Sequence, residues 1–140
     1  MNKSLVVILT LLASSTMPLN AYAQTMHEHS KGIDFASLDD GWVALEEVAS
    51  KIRSTVAADN LDPLHDLAAE LHAVADSFGK LSNHIPKANQ LRFTSSVNQL
   101  RTLSNRLHTA YEQRNAAAAK QMVTQLNGLV QLLMAGAESS

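Results

Sequence analysis

Hydrophobic residues recur at intervals of three and four along the chain after residue 37, in four segments separated by turn-forming residues. This spacing places the apolar side chains of each segment on one side of an α-helix. The alternation typical of strands is nearly absent. The pattern therefore predicts an all-α protein, an antiparallel four-helix bundle over residues 38–137, because helices with short connections pack against their neighbours. A three-helix arrangement with an added hairpin is the alternative.

The first two helices have recognisable boundaries. Ser37 or Asp39 can cap the first helix, and Asp59-Asn60 should end it. Asp62, as cap, and Pro63, as first helical residue, should open the second, because proline lacks the N–H that a first turn leaves unpaired.

The last two helices are separated less sharply. The turn at residues 84–86 should start the third helix, which we expect to run from about Pro86 to Gln113. Arg114-Asn115 marks the junction with the fourth, but the alanine run at 116–119 that follows is itself a strong helix former.

The first residues have the features of a signal peptide. Lys3 precedes a short apolar run at residues 5–13, and Ala21-Tyr22-Ala23 places small residues before a cut at Gln24. We expect residues 1–23 to be cleaved and the mature chain to lie in the periplasm of a bacterium, not embedded in the membrane. An anchor that is never cut is the alternative. Residues 24–37 lack helical periodicity and are predicted to form a flexible arm.

The amino-acid composition excludes several kinds of functional site. The chain has no cysteine, which rules out thiol nucleophiles, iron–sulfur clusters, covalent haem and thiolate zinc sites. Residues 24–79 carry eleven acidic and three basic residues, a net charge of −8, whereas residues 80–140 carry seven bases and two acids, a net charge of +5. This division favours pairing of acidic with basic helices, or attraction of cations to one side. No basic stripe with interleaved aromatics indicates nucleic-acid binding.

Histidine is the main residue type in this sequence that can bind a transition metal. Met26-His27-Glu28-His29 combines a thioether and two imidazoles within the arm. Thioether suits Cu(I), and imidazole suits Cu(II) or Zn(II). The arm is therefore a candidate site for copper or zinc, although an ordinary polar tail would have the same composition.

Three further histidines lie in the helices. His65 and His72 are two turns apart, about 10 Å, too far to share one ion unaided. If the chain reverses near His84, His108 comes within about one helical turn of the height of His65, so that a shared site depends on the loop. The alternative is that these histidines flank the core and form local hydrogen bonds.

The sequence lacks the motifs typical of haem proteins and of several classes of enzyme. A b-type haem site could use His108 with Met122 or Met134, but both methionines have the spacing of core or helix-end residues, so we expect no haem. The serines lie in helical segments without a Gly-x-Ser-x-Gly turn, and no glycine-rich phosphate loop is present. We expect no enzymatic activity.

Three stretches resemble a known group of proteins: Trp42 near the start of the first helix, Leu64-His65-Asp66-Leu67-Ala68, and Leu107-His108-Thr109-Ala110 before an alanine-rich last helix. The chain resembles small periplasmic helical-bundle proteins associated with heavy-metal efflux and copper-resistance systems. The resemblance implies a role in metal tolerance and a metal-efflux or sensor protein as partner. It also implies that His65 and His108 are the functional residues that this chain shares with those proteins.

The sequence thus predicts a periplasmic accessory protein that weakly binds a transition-metal ion and supports metal resistance. Met26, His27 and His29 would capture the ion, with His65, His72 or His108 as secondary ligands. The alternative is an adaptor bundle without metal that docks a membrane or periplasmic partner, or that forms a homodimer through an apolar stripe.

Overall fold

The computed structural model describes residues 32–138, which form four α-helices: α1 (Leu38–Ala57), α2 (Leu64–Lys80), α3 (Lys87–Glu112) and α4 (Ala116–Glu138). A short 3₁₀ helix, Leu81–His84, joins α2 to α3. Helix α1 packs against α2 and α4, and α3 packs against the same two helices from the opposite corner. The predicted all-α four-helix bundle is confirmed, and the described residues contain no strand.

Two helices end in the same way. Asp59, after α1, and Arg114, after α3, have positive φ values of 52° and 49°. Each lets the next residue donate a backbone hydrogen bond back into the last turn: Asn60 N to Thr55 O at 3.2 Å, and Asn115 N to Ala110 O at 2.9 Å. These left-handed residues satisfy helix-end carbonyls and reverse the chain. Both breaks therefore fall where the sequence predicts them.

The starts of α1 and α2 differ. Ser37 Oγ accepts a hydrogen bond from Asp40 N at 3.2 Å, so the predicted cap of α1 is confirmed. Helix α2 has no side-chain cap, and Pro63 precedes its first residue. The prediction that Asp62 caps α2 is wrong, because its carboxylate pairs with Arg114 instead.

The core runs the length of the bundle and receives apolar side chains from every helix. Its largest fully buried members are Leu45, Ile52, Leu64, Leu71, Phe78, Phe93, Leu100, Leu107, Leu126 and Leu133. With no disulfide available, burial of these side chains is the main source of stability, at about 1.5–3 kcal/mol each before chain entropy is subtracted.

Aromatic rings close one end of this core. Phe78 contacts Trp42, with ring centroids 4.7 Å apart, and also Phe35 and Phe93 at 5.8 and 6.0 Å. Gly41 allows the rings to come this close, because a Cβ there would lie 2.9 Å from Phe78 Cε1 and 3.1 Å from Phe35 Cδ2. Trp42, one of the residues on which the resemblance rests, is therefore part of the packing at this end.

The stretch before α1 is attached to this aromatic end. Ile33 and Phe35 are partly buried against the core. Ser77 Oγ donates a hydrogen bond to Ile33 O, and Lys80 pairs with Asp34. Residues 32–37, which the sequence assigns to the arm, are not helical and contact α2 through these groups. The predicted signal peptide and residues 24–31 of the arm lie outside the described residues. No helix among those described is long and apolar enough to cross a membrane.

Candidate functional site: an imidazole pair between α2 and α3

Helices α2 and α3 bring His65 and His108 into direct contact at the end of the bundle opposite the aromatic cluster. Their ring centroids lie 4.7 Å apart, with the ring planes inclined by 47°. His65 belongs to the first turn of α2 and His108 to the last two turns of α3. The two histidines singled out by the resemblance are therefore neighbours in the fold.

The turn between α2 and α3 sets this register. Two pairs of residues meet across these helices, His65 with His108 and Asp76 with Arg101. In each pair the two residues are about equally far along the sequence from residues 87–88. The 3₁₀ helix uses residues 81–84 before the chain reverses, so the reversal is a few residues later than His84. At about 1.5 Å per residue, this shift removes the height difference expected from the sequence.

Tyr111 and Glu112 complete the surroundings of the pair. The Tyr111 ring lies 5.4 Å from that of His65 and 6.4 Å from that of His108. Glu112, one turn after His108, places Oε1 3.3 Å from His108 Nε2. The sequence predicts neither Tyr111 nor Glu112 as a candidate ligand. The signal that would have found them is their spacing of three and four from His108.

The Glu112 contact determines which nitrogen of His108 can act as a ligand. A carboxylate beside Nε2 favours the proton on that atom, which leaves the lone pair on Nδ1. His108 Nδ1 is buried and has no hydrogen-bond partner among the described residues. A histidine that is oriented by a carboxylate through one nitrogen and presents the other is the usual arrangement of a metal ligand.

The dipoles of α2 and α3 have opposite effects on a cation bound at the histidine pair. His108 and Glu112 lie at the C-terminal end of α3, where the helix dipole favours a cation, and His65 lies at the N-terminal end of α2, where it does not. Arg114 lies over the Tyr111 ring, 5.2 Å from its centroid. Arg114 donates a hydrogen bond to the Asp62 carboxylate. This bond and the negative charge of Asp62 raise the pKa of Arg114 above its ordinary value. The helix dipoles therefore favour a cation at His108 more than at His65.

His72 belongs to a different network. Its Nδ1 lies 3.0 Å from Ser104 Oγ, whose own hydroxyl donates to Arg101 O at 2.7 Å. Ser104 therefore accepts from His72, so Nδ1 of His72 carries the proton. Nε2 lies 3.7 Å from Asp76, a carboxylate that also binds Arg101 at 2.6 Å. This is the local hydrogen bonding expected for these histidines as the alternative to metal binding.

The remaining candidates do not join the pair. Glu70, on the same helix as His65 and His72, pairs with Lys51 at 3.6 Å. His84 is exposed in the 3₁₀ helix, as expected for a turn residue. Met26, His27 and His29 lie outside the described residues. Within residues 32–138, no group of three or more His, Asp or Glu side chains could hold a metal ion.

No protein-family model, curated protein or solved structure matches the chain. The resemblance to proteins associated with metal efflux thus stays a prediction.

Proposed function

We propose that the protein is a periplasmic accessory that weakly binds a copper or zinc ion and supports metal resistance, with His65 and His108 as the ligands that the bundle supplies. The observation that carries this proposal is the contact between the two imidazoles, one of them oriented by Glu112. Neutral imidazole is a good ligand for both metals.

The ligand count explains why binding would be weak. Two imidazoles alone leave positions open on a metal that prefers four ligands. The arm residues Met26, His27 and His29 have the chemistry to fill them, and water can do the same. Ordering the arm around an ion costs conformational entropy, which lowers the affinity and allows rapid release. Reversible capture suits a protein that passes an ion to an efflux or sensor partner.

Titration of the chain from Gln24 onward with Cu(II), Zn(II) and, under reducing conditions, Cu(I) tests the proposal. Calorimetry of the wild type should show one weak site. Replacing either bundle histidine, as His65→Gln or His108→Gln, should weaken the binding of the preferred ion by at least about tenfold. The double arm variant His27→Gln/His29→Gln measures the contribution of the arm separately.

His84→Gln is the matched control, because it removes an exposed imidazole from the same chain. It should leave the affinity unchanged. Equal losses for His84→Gln and His108→Gln would show that metal binds nonspecifically to any histidine. Affinity no tighter than that of a scrambled arm peptide would remove the proposal.

A further inference from the structure

Three small residues, Ala69, Ala73 and Ser77, form a stripe along one face of α2, because they are about one helical turn apart. Ala73 lies about half a turn around the helix from Leu71, which is fully buried in the core. This outer stripe therefore faces away from the core.

The outer stripe is buried although it faces away from the core. Its three residues are 8%, 5% and 3% exposed, in chain order. The neighbouring helices approach α2 on the two flanks of the stripe, where Lys51 of α1 reaches Glu70 and Arg101 of α3 binds Asp76. Side chains on the face of a helix opposite the core are normally in contact with water. Their burial here indicates that another stretch of chain lies over the stripe.

The chain before α1 lies over one end of the outer stripe. Ser77 Oγ donates a hydrogen bond to Ile33 O, and Lys80, about one turn further along α2, pairs with Asp34. From Asp34 back to Ile33, the chain thus moves toward the start of α2 and its histidine. Residues before Ile33 that continue in this direction follow the outer stripe.

Burial alternates along this part of the chain as in an extended strand. Ile33 and Phe35 are partly buried against the core, whereas residues 32, 34 and 36 are exposed. Successive side chains of an extended chain point to opposite sides, so the odd-numbered residues face the bundle. Continued without a break, this alternation would place His29 and His27 on the side that faces α2.

The length of the arm matches the length of the stripe. The twelve residues of α2 from Ser77 back to His65 rise about 18 Å. The six residues from Ile33 back to His27 span about 20 Å when extended. By the same measure His29, about 13 Å from Ile33, would stop about 5 Å short of the level of His65.

We propose that residues 26–31 lie over the outer stripe and that His27 arrives beside His65 as the third imidazole of the metal site. The role of His27 as a ligand rests on the proposed function, whereas the path of the chain does not. Three imidazoles with one open position are a known ligand set for Zn(II). His27 therefore makes the larger part of the contribution of the arm, and His29 the smaller.

Labelling of single thiols tests the path, because the chain has no cysteine of its own. Ala73→Cys places a thiol on the outer stripe. The matched control Thr102→Cys places one on an exposed position of α3, about as far from residues 87–88 along the sequence. In the chain from Gln24 onward, a maleimide should label the first thiol at least about tenfold more slowly than the second.

Two further variants identify what covers the stripe. Ile33→Asp puts a charge where the arm is attached, so it should restore fast labelling of Ala73→Cys and leave Thr102→Cys unchanged. Ala69→Cys should be protected in the same way as Ala73→Cys, and this measurement leaves Ile33 intact. Circular dichroism checks that all the variants stay helical.

Single variants of the arm test the register. His27→Gln should weaken the binding of Zn(II) by at least about tenfold. His29→Gln is the matched control, since it removes the same side chain two residues further on, and it should cost less than about threefold. Calorimetry of the chain from Gln24 onward measures both.

The possible failures are distinguishable. Labelling of Ala73→Cys as fast as that of Thr102→Cys would overturn the path, whether or not metal binds. Protection that Ile33→Asp leaves unchanged, or that dilution removes, would also overturn it, because another part of the chain or a second copy would then cover the stripe. Equal losses for His27→Gln and His29→Gln would overturn the register. Protection in a chain that binds no Zn(II) would support the path but remove the role of His27 together with the proposed function.

Discussion

Rings cluster at both ends of the α2–α3 pair, and the two clusters are packed alike but differ in chemistry. At one end, Trp42 and Phe78 lie 4.7 Å apart, and at the other, His65 and His108 have the same separation. The first cluster consists mainly of hydrocarbon, whose burial is favourable. The second buries Nδ1 of His108 without a hydrogen-bond partner among the described residues, which costs free energy.

Under the proposed function, the aromatic end serves stability and the histidine end serves binding. The aromatic end has the composition expected if packing alone determines the residues. At the histidine end, phenylalanine or leucine would fill similar space without buried nitrogen atoms. Places where a sequence departs from the locally most stable choice are often functional. Among the described residues, the imidazole pair is therefore where we propose a binding role.

The largest effect on stability is expected at the aromatic end. Phe78 is fully buried and contacts three other aromatic rings. Phe78→Ala should lower the free energy of unfolding by about 3–5 kcal/mol, because it removes buried surface and leaves a cavity. Urea denaturation measures this change, and the metal affinity of the folded fraction should stay the same. A loss below about 1 kcal/mol would contradict the description of this end as the tightly packed one.

Gly41→Ala tests the close packing of the same cluster. The added methyl group would contact Phe78 and Phe35, and the resulting strain of about 1–3 kcal/mol should exceed the helix-propensity gain of about 1 kcal/mol. Gly128→Ala is the matched control, since it lies within α4 and its Cβ would meet nothing. Thermal unfolding should show the first variant less stable and the second more stable than the wild type. Stabilisation by both would mean that the rings can move aside.

Replacing His108 and replacing His72 should change the stability of the bundle in opposite directions. His108→Phe removes a buried nitrogen without a hydrogen-bond partner among the described residues, so stability should rise by about 1 kcal/mol while metal binding is lost. His72→Phe breaks the hydrogen bond to the buried Ser104, and stability should fall by a similar amount. Urea denaturation of both variants, followed by Zn(II) titration, makes the comparison. Equal destabilisation would indicate that His108 is as structural as His72.

Glu112→Gln should have the smallest effect on stability. The pair with His108 is partly exposed, so its loss should change the free energy of unfolding by less than about 1 kcal/mol. Metal affinity should nevertheless fall by about tenfold, because the amide orients the imidazole less strongly than the carboxylate does. Calorimetry resolves this change. An unaltered affinity would show that Glu112 takes no part in positioning the ligand.

Local chemistry explains what could be predicted from the sequence. The cap Ser37 and the breaks at Asp59 and Arg114 act within a few residues, so their positions could be assigned directly. The contact between His65 and His108 depends instead on how many residues the turn between α2 and α3 uses. A 3₁₀ helix in that turn changes the register by a few residues, and the pattern of apolar positions carries no information about it.

The distance between helices illustrates a second limit of such patterns. The spacing of Leu103 and Leu129 identifies them as inward-facing residues but does not show how closely α3 and α4 approach each other.

The central claim is that the imidazoles of His65 and His108 share one ion. Long-range ¹H–¹⁵N spectra of the histidine side chains, recorded on the chain from Gln24 onward while Zn(II) is added, observe each ring separately. The account predicts that the ¹⁵N resonances of His65 and His108 shift together, with those of His27 and His29 responding as additional ligands, while those of His72 and His84 stay unchanged. Shifts confined to the arm histidines, or shared equally by all six imidazoles, would contradict it.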